Sequence, residues 1–387
     1  MKKVSVKIIT SGRFHHFHLA RQLNKYCKLD EIYTGYPNFK LIDERQLLND
    51  KIKTYPYFQV PYLFFNKYLG NYSHNLKQYL ANLSAKKLSL KVSKNLGSAN
   101  IIIATSNCGL EAGKKIKSLN GKFICDRGST HISFQNEIYI EEYKKYDVKF
   151  NQISQKTINR ELEEYEEADL ISVPSKFALN SFIKKGIDKK KLFLNPYGVD
   201  MFRFGPLPKK EKKIFNVLYV GTISIRKGIF YLLEAFKKIN LKKKQLTFIG
   251  NIEDNIKEKF TKYLSDNIVF LSIIKNKDLN RYYNEADVLV QPSINEGVSL
   301  VMAEALACGC PVIATENTGA EDLFTNNKEG FIIKAQSSSS ILQKLELLAE
   351  NRELRKEMSE NAKNIIKKND GWGEYGNQWN KRLNSLL

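Results

Sequence analysis

Short apolar runs recur along this chain between longer stretches with helical spacing. The runs VSVKIIT, NIIIAT and KFICD are followed by FNVLYVG, LTFIG, NIVFLS and PVIAT. Each is brief, rich in β-branched residues and bounded by turn formers, so each predicts a β-strand. Strand alternating with helix predicts parallel sheets joined by crossover helices, an α/β doubly wound architecture. No short solenoid-type repeat is present, but one long-range echo is. EADLISVPS (Glu167–Ser175) returns as EADVLVQPS (Glu285–Ser293). Each predicts a helix end, a buried strand and a Pro-Ser loop, and the echo predicts two similar halves that both end in this unit. Between the halves, Asn195–Lys213 holds three prolines, two glycines and a lysine-rich run. Turn chemistry of that kind marks a linker. The expected division is residues 1–196, residues 197–370, and a C-terminal helix, 371–387, returning to the first domain. The crevice between two doubly wound domains lies at the carboxyl ends of their strands, where such folds bind ligands.

Length agrees with this division, since 387 residues suit two domains of roughly 190. The charged start, MKKVSVKIITSG, looks like a secretory signal until Lys7 breaks its apolar run, which then predicts a first strand. No apolar stretch approaches the ~20 residues of a membrane-spanning helix. Five cysteines, an odd number in a long chain, suit a reducing cytoplasm rather than a disulfide scaffold. Cys308 and Cys310 read as small residues in a packed turn. The net charge of +21 invites anionic partners. Lysine far outnumbers arginine, whereas base edges are read mainly by arginine, so no specific nucleic-acid partner is expected.

The chemistry concentrates in PSINEGVSLVMAEALACGCPVIAT. Glu296 abuts Gly297 in a strand-to-helix loop, and Glu304 stands inside an apolar helical pattern. A helix from about Val298 to Cys308 would offer the unpaired amides of Val298, Ser299 and Leu300 as an anion seat. Gly297 would let backbone approach a ligand closely. Glu304 would lie roughly 10 Å along the helix. Carboxylates suit sugar and ribose hydroxyls because they accept two hydrogen bonds in defined geometry. The alternative is two solvated glutamates, which the apolar neighbours of Glu304 oppose. A second segment, VLYVGTISIRKGIFYLLEAF, places Arg226 and Lys227 in a loop after a strand. Two cations there would neutralise a pyrophosphate and stabilise its departure.

Together, NEGVSLVMAEALACGCPVIAT and YVGTISIRKGIFYLLEAF resemble the retaining GT-B glycosyltransferases of group 1, family four of the sequence classification. The E-x7-E spacing from Glu296 to Glu304 carries the resemblance. NPYGVDMFRF is similar to the family's interdomain segment, and GWGEYGNQW to its C-terminal tryptophan-containing helix. The resemblance implies two Rossmann-like domains facing a cleft. Glu296 would hold donor-sugar hydroxyls, Gly297, Val298, Ser299 and Leu300 would face sugar and phosphate, and Glu304 would bind ribose. Lys227 would sit on the diphosphate. Thr222 stands where the family often has arginine, and Arg226 would supply that charge; FIGNIEDN replaces the family's usual glycine-rich loop. In the first half, Gly12 would bring its loop to the donor phosphates, and His18 matches a frequent family histidine. One of Asp126, Arg127 and His131 would be the polar catalytic residue after KFICD. The acceptor would attack on the face that the diphosphate leaves, the phosphate taking its proton. No D-x-D motif is present, so neither a metal nor another cofactor is implied beyond the nucleotide-sugar donor.

From Lys51 to Leu110 there is no Asp or Glu, and lysines mix with aromatics in TYPYFQVPYLFFNKYLGNYSHNLKQYL. An anionic membrane surface and a lipid-linked acceptor are the expected partners of that stretch. The first function expected is a cytoplasmic glycosyltransferase, peripheral on the inner face of the membrane, building a bacterial surface polysaccharide or lipopolysaccharide. The alternatives are another GT-B sugar enzyme, an epimerase or phosphorylase, or a non-enzymatic polyanion binder.

Overall fold

The computed structural model describes residues 4–68, 74–150, 152–208, 214–367 and 371–386. The Lys209–Lys213 run of the linker and residues 69–73 of the basic stretch lie outside the described residues. Seven strands form the first sheet: β1 (Val6–Thr10), β2 (Leu29–Thr34), β3 (Ile52–Thr54), β4 (Ile101–Thr105), β5 (Lys122–Asp126), β6 (Leu170–Val173) and β7 (Leu192–Leu194). Six form the second: β8 (Phe215–Val220), β9 (Lys244–Ile249), β10 (Ile268–Leu271), β11 (Val288–Gln291), β12 (Val312–Thr315) and β13 (Gly330–Ile333). The orders are β3-β2-β1-β4-β5-β6-β7 and β10-β9-β8-β11-β12-β13. All pairings between these strands are parallel. Both sheets reverse direction of growth at one point, between β1 and β4 and between β8 and β11, and ligands of doubly wound sheets bind at such points.

Helices cover both faces of each sheet, so the central strands are buried on both sides and read as continuous apolar runs. Val6, Ile8 and Ile9 of β1 and Ile101–Ala104 of β4 are fully enclosed. Lys7 shares that enclosure at 3% exposure, because Asp30 at 3.0 Å and Glu31 neutralise it.

The echo of the two Pro-Ser units does not mark equivalent places. Its first strand is β6, sixth in its half, whereas its second is β11, the fourth, with β12 and β13 still to come. Similar local sequence serves different positions because each strand–loop–helix corner poses the same local problem: Ser175 caps the helix after β6, while Ser293 Oγ accepts from Gln291 at the end of β11 at 3.0 Å.

Two elements tie the halves together. The helix Trp372–Asn384 lies on His16–Lys25, where a Cβ on Gly376 would stand 2.5 Å from Gln22. Its Tyr375, Trp379 and Leu383 join the core beneath β1. The helix Ile132–Lys145 belongs in sequence to the first half, yet Tyr139 and Tyr143 lie in the core of the second sheet. Tyr143 Oη donates to Glu253 at 3.1 Å, and Tyr231 Oη donates to the buried Glu142 at 2.7 Å.

Candidate active site

The crevice is built from loops at the carboxyl ends of strands. After β8, the chain turns through Ile225–Lys227 into Gly228, whose φ is 67°. A Cβ there would lie 1.9 Å from the Pro292 carbonyl oxygen, so glycine is required for the loop to press against the segment after β11. The Ile294 amide then donates to Arg226 at 3.0 Å. The two loops are thereby fastened, and their side chains meet. Lys227 Nζ pairs with Glu296 Oε1, and Arg226 Nη1 lies 3.8 Å from the same oxygen. Burial lowers the Lys227 ammonium pKa, and Glu296 opposes that shift. Burial also opposes the charge on Arg226, but Glu296 and Glu253 raise its pKa further. Glu253 stands 3.9 Å from Arg226 Nε; burial raises its pKa.

The helix after this loop runs Leu300–Ala307, beginning two residues later than Val298 and ending one before Cys308. The Ser299 amide is occupied, donating to the Thr318 carbonyl at 3.2 Å. The Met302 amide also donates, to the Ser299 carbonyl at 3.1 Å, so the anion seat narrows to the amides of Leu300 and Val301. Val298 packs beside Gly319. Gly297 lies against the first half of the chain. A Cβ on it would lie 2.0 Å from the Gly128 carbonyl oxygen of the first half, and its own carbonyl accepts from Ser175 Oγ. Thr130 Oγ1 donates to Asn295 at 2.9 Å beside it. The loop holding Glu296 is thus clasped between the ends of β5 and β6. Glu304 faces inward: Tyr283 Oη donates to it at 2.7 Å, and Asn276 hydrogen-bonds it. Burial pushes its carboxyl up to about 7.

The first-half residues divide differently from expectation. His131 caps the helix Ile132–Lys145, its Nδ1 accepting from the Ser133 amide at 3.2 Å, and its ring packs on Tyr165 and Phe182. Burial and then Arg127 push it down to about 4. It is a structural cap because its acceptor nitrogen is taken. Arg127 is likewise committed, to the Thr130 carbonyl, Ser106, Glu161 and Gln135. His18 stacks on Trp372 with ring centroids 3.9 Å apart and contacts Arg21 at 2.7 Å; burial and Arg21 push it down to about 3. It joins the C-terminal segment to the first half. Gly12 lies in the loop after β1, its carbonyl accepting from Thr10 at 3.1 Å. Asp126 is 1% exposed and sits behind two histidines that sequence reasoning passed over. His15 Nε2 is 2.8 Å from its Oδ2 and His16 Nε2 is 3.0 Å. The readable signal was the His-His doublet directly after the Gly12 loop; the carboxylate it meets is more than a hundred residues away.

Two facing doubly wound domains, with paired cations and acids at the strand ends between them, define a GT-B-type architecture. Residues 201–365 match the family described as Glycosyl transferases group 1. The uncharacterised glycosyltransferase MJ1069 of Methanocaldococcus jannaschii is 22% identical over 390 residues, 95% of this chain and 93% of that protein. The capsular polysaccharide biosynthesis glycosyltransferase CapM of Staphylococcus aureus is 33% identical over 168 residues, 41% of this chain and 44% of CapM. Against CapM and several other curated relatives, the match spans about a third to a half of the relative's length. In fold, the chain is similar to Anabaena Alr3699/HepE, crystallised with UDP, at a TM-score of 0.73 and 16% identity, covering 99% of this chain and 100% of that one.

Proposed function

We propose that this protein is a retaining glycosyltransferase that moves a sugar from a nucleoside-diphosphate sugar to a glycan or lipid-linked acceptor in the synthesis of a bacterial surface polysaccharide. The observation that carries this reading is the convergence of Glu296, Arg226 and Lys227 in the crevice, from two loops fastened by Gly228. Glu296 holds hydroxyls of the donor sugar, and the amides from Leu300 and the two cations take the diphosphate. As the diphosphate leaves it gains charge, and cations already in place stabilise it without reorganising. Glu304 takes the ribose. CapM's role in capsule synthesis and HepE's binding of UDP support the same direction.

The acceptor side supports a membrane surface. Phe39, Ile42, Leu47, Tyr57, Val60 and Phe64 of the first half are exposed, as are Lys86, Lys87 and Lys91 on the neighbouring helix His74–Ser93 and Lys94 just past its end. No helix among the described residues is long and apolar enough to cross a membrane. In this reading the protein works from the cytoplasmic face, docked rather than inserted.

The test is release of nucleotide from a panel of UDP-, GDP-, ADP- and CMP-sugars, with and without a lipid-linked glycan acceptor. Acceptor-stimulated release from one of them is expected. Release that never depends on acceptor favours an epimerase or phosphorylase type of chemistry. Absence of release, with no donor raising the melting temperature, contradicts the reading.

A further inference from the structure

We propose that Glu253 and Tyr143 are positioning residues of the transfer reaction, holding the Arg226 guanidinium in place for the departing diphosphate; this rests on the reading given above. Glu253 stands in FIGNIEDN, the segment that replaces the family's usual glycine-rich loop. Its backbone is fixed to the loop that carries Arg226. The Ile223 amide donates to the Asn251 carbonyl at 2.7 Å, and the Glu253 amide donates to the Ile223 carbonyl at 3.0 Å. Ile223 and Ile252 form a parallel bridge between them. The loops after β8 and β9 therefore run on as a pair beyond their strands, and Glu253 emerges beside Arg226.

Tyr143 comes from the helix Ile132–Lys145, which begins in the first half and packs against the Ile225–Lys227 turn itself. Its Oη donates to Glu253 Oε2 at 3.1 Å. Burial and the Glu253 carboxylate raise the Tyr143 hydroxyl above its ordinary pKa, so it keeps its proton and stays a donor. The other carboxylate oxygen, Glu253 Oε1, lies 3.9 Å from Arg226 Nε, and Glu296 Oε1 lies 3.8 Å from Nη1. The guanidinium is thus held at two corners, by one acid after β9 and one acid after β11. Both contacts are too long for hydrogen bonds, so they orient the group by charge and leave its N–H donors for a phosphate. One turn earlier on the same helix, Tyr139 Oη accepts from Asn295 Nδ2 at 3.3 Å, beside Glu296. Tyr139 and Tyr143 are four residues apart on one helical face, so a single helix supports both acids. The tyrosines are 6% and 4% exposed, whereas the Arg226 side chain is 32% exposed. The tyrosines act through the acids, and the cation meets the ligand.

A long side chain that is free to turn must be ordered when charge develops on the diphosphate. Held beforehand by Glu253, Arg226 meets that charge without reorganising, which favours the transition state over the bound donor. Loss of either positioning residue is therefore felt in kcat more than in KM.

The test compares the full-length wild type with Glu253→Gln, Tyr143→Phe and Tyr231→Phe, using UDP-glucose, UDP-galactose, UDP-N-acetylglucosamine and GDP-mannose as probes. The first two substitutions are also made in an Arg226→Gln background. Glu253→Gln can still accept from Tyr143 but has lost its charge; kcat is expected to fall about tenfold, with the donor KM changing less than about threefold. Tyr143→Phe is expected to lower kcat about fivefold. Tyr231→Phe is the structural control, since Tyr231 ties the same helix to the second sheet through Glu142 rather than Glu253. It is expected to lower the melting temperature at least as much as Tyr143→Phe while kcat stays within about twofold of wild type. In the Arg226→Gln background, neither Glu253→Gln nor Tyr143→Phe is expected to cost more than about twofold further, because the group they position is gone. Values of kcat within about twofold of wild type for both single variants overturn the inference. So do losses that persist in full without Arg226, or a loss in Tyr231→Phe as large as that in Tyr143→Phe. Those outcomes, seen with a donor that the wild type cleaves, leave the transfer reading standing. If no probe raises the melting temperature of the wild type or is cleaved by it, the transfer reading itself falls, and this inference with it.

Discussion

At the scale of single residues, Glu304 shows what a charge inside an apolar pattern means. Its helix is otherwise apolar, so the carboxyl is drawn into a partly buried place with Tyr283 and Asn276 as partners. Burial raises its pKa from the ordinary carboxyl value to about 7. A carboxyl raised on folding binds its proton more tightly in the native state. Native stability is therefore favoured below the unfolded pKa and declines as pH rises towards 7, where the buried group must ionise. Glu304→Gln removes that titration. Relative to Glu304→Gln, the wild type is expected to lose melting temperature between pH 5 and pH 8, while its affinity for a nucleotide sugar rises as the carboxylate forms. Parallel melting curves across that range would contradict the assignment. The position of Glu304 was legible from its eight-residue spacing to Glu296; Tyr283, which arrives from another helix, was not. Gly297 was legible as a close approach, but only the folded chain shows that the approaching group is the Gly128 peptide.

Among secondary-structure elements, the period of the sequence carried most of the fold. β1, β4, β5, β8, β9 and β12 are visible as apolar runs because central strands are buried on both faces, and β10, though at a sheet edge, is visible because its own run is apolar. β6 and β11 are visible through their repeated sequence. Four strands escape this reading. β3, β7 and β13 are short and lie at sheet edges, and β2 opens on Asp30 and Glu31, which pair with Lys7. The echo misleads for a related reason: local sequence specifies a corner, whereas strand order is set by contacts between distant segments. The helix Ile132–Lys145 is the clearest case. Its helical character is local, with His131 as cap, but the burial of Tyr139 and Tyr143 under the second sheet is a tertiary fact. That helix begins six residues after β5 ends, so the loop at the crevice and the core of the second sheet are held by one continuous element. His15 follows the same rule: the doublet was visible, its carboxylate was not.

For the molecule as a whole, charge and the crevice make separate demands. The excess of lysine places a basic, partly apolar surface on the first half. Each lysine close to an anionic bilayer contributes about 1 kcal/mol, and salt screens that attraction. The protein is expected to sediment with phosphatidylglycerol-containing vesicles at low salt and to release at high salt; failure to bind at low salt would contradict the docking. The crevice is where both halves matter at once, because Glu296 is paired to the cations of one sheet while its neighbour Gly297 rests on the other. The most direct test is the steady-state kinetics of Lys227→Ala with whichever nucleotide sugar the wild type cleaves. The account predicts that kcat/KM falls at least tenfold, about 1.4 kcal/mol of lost transition-state stabilisation, with the fold retained. A value near that of the wild type would contradict it.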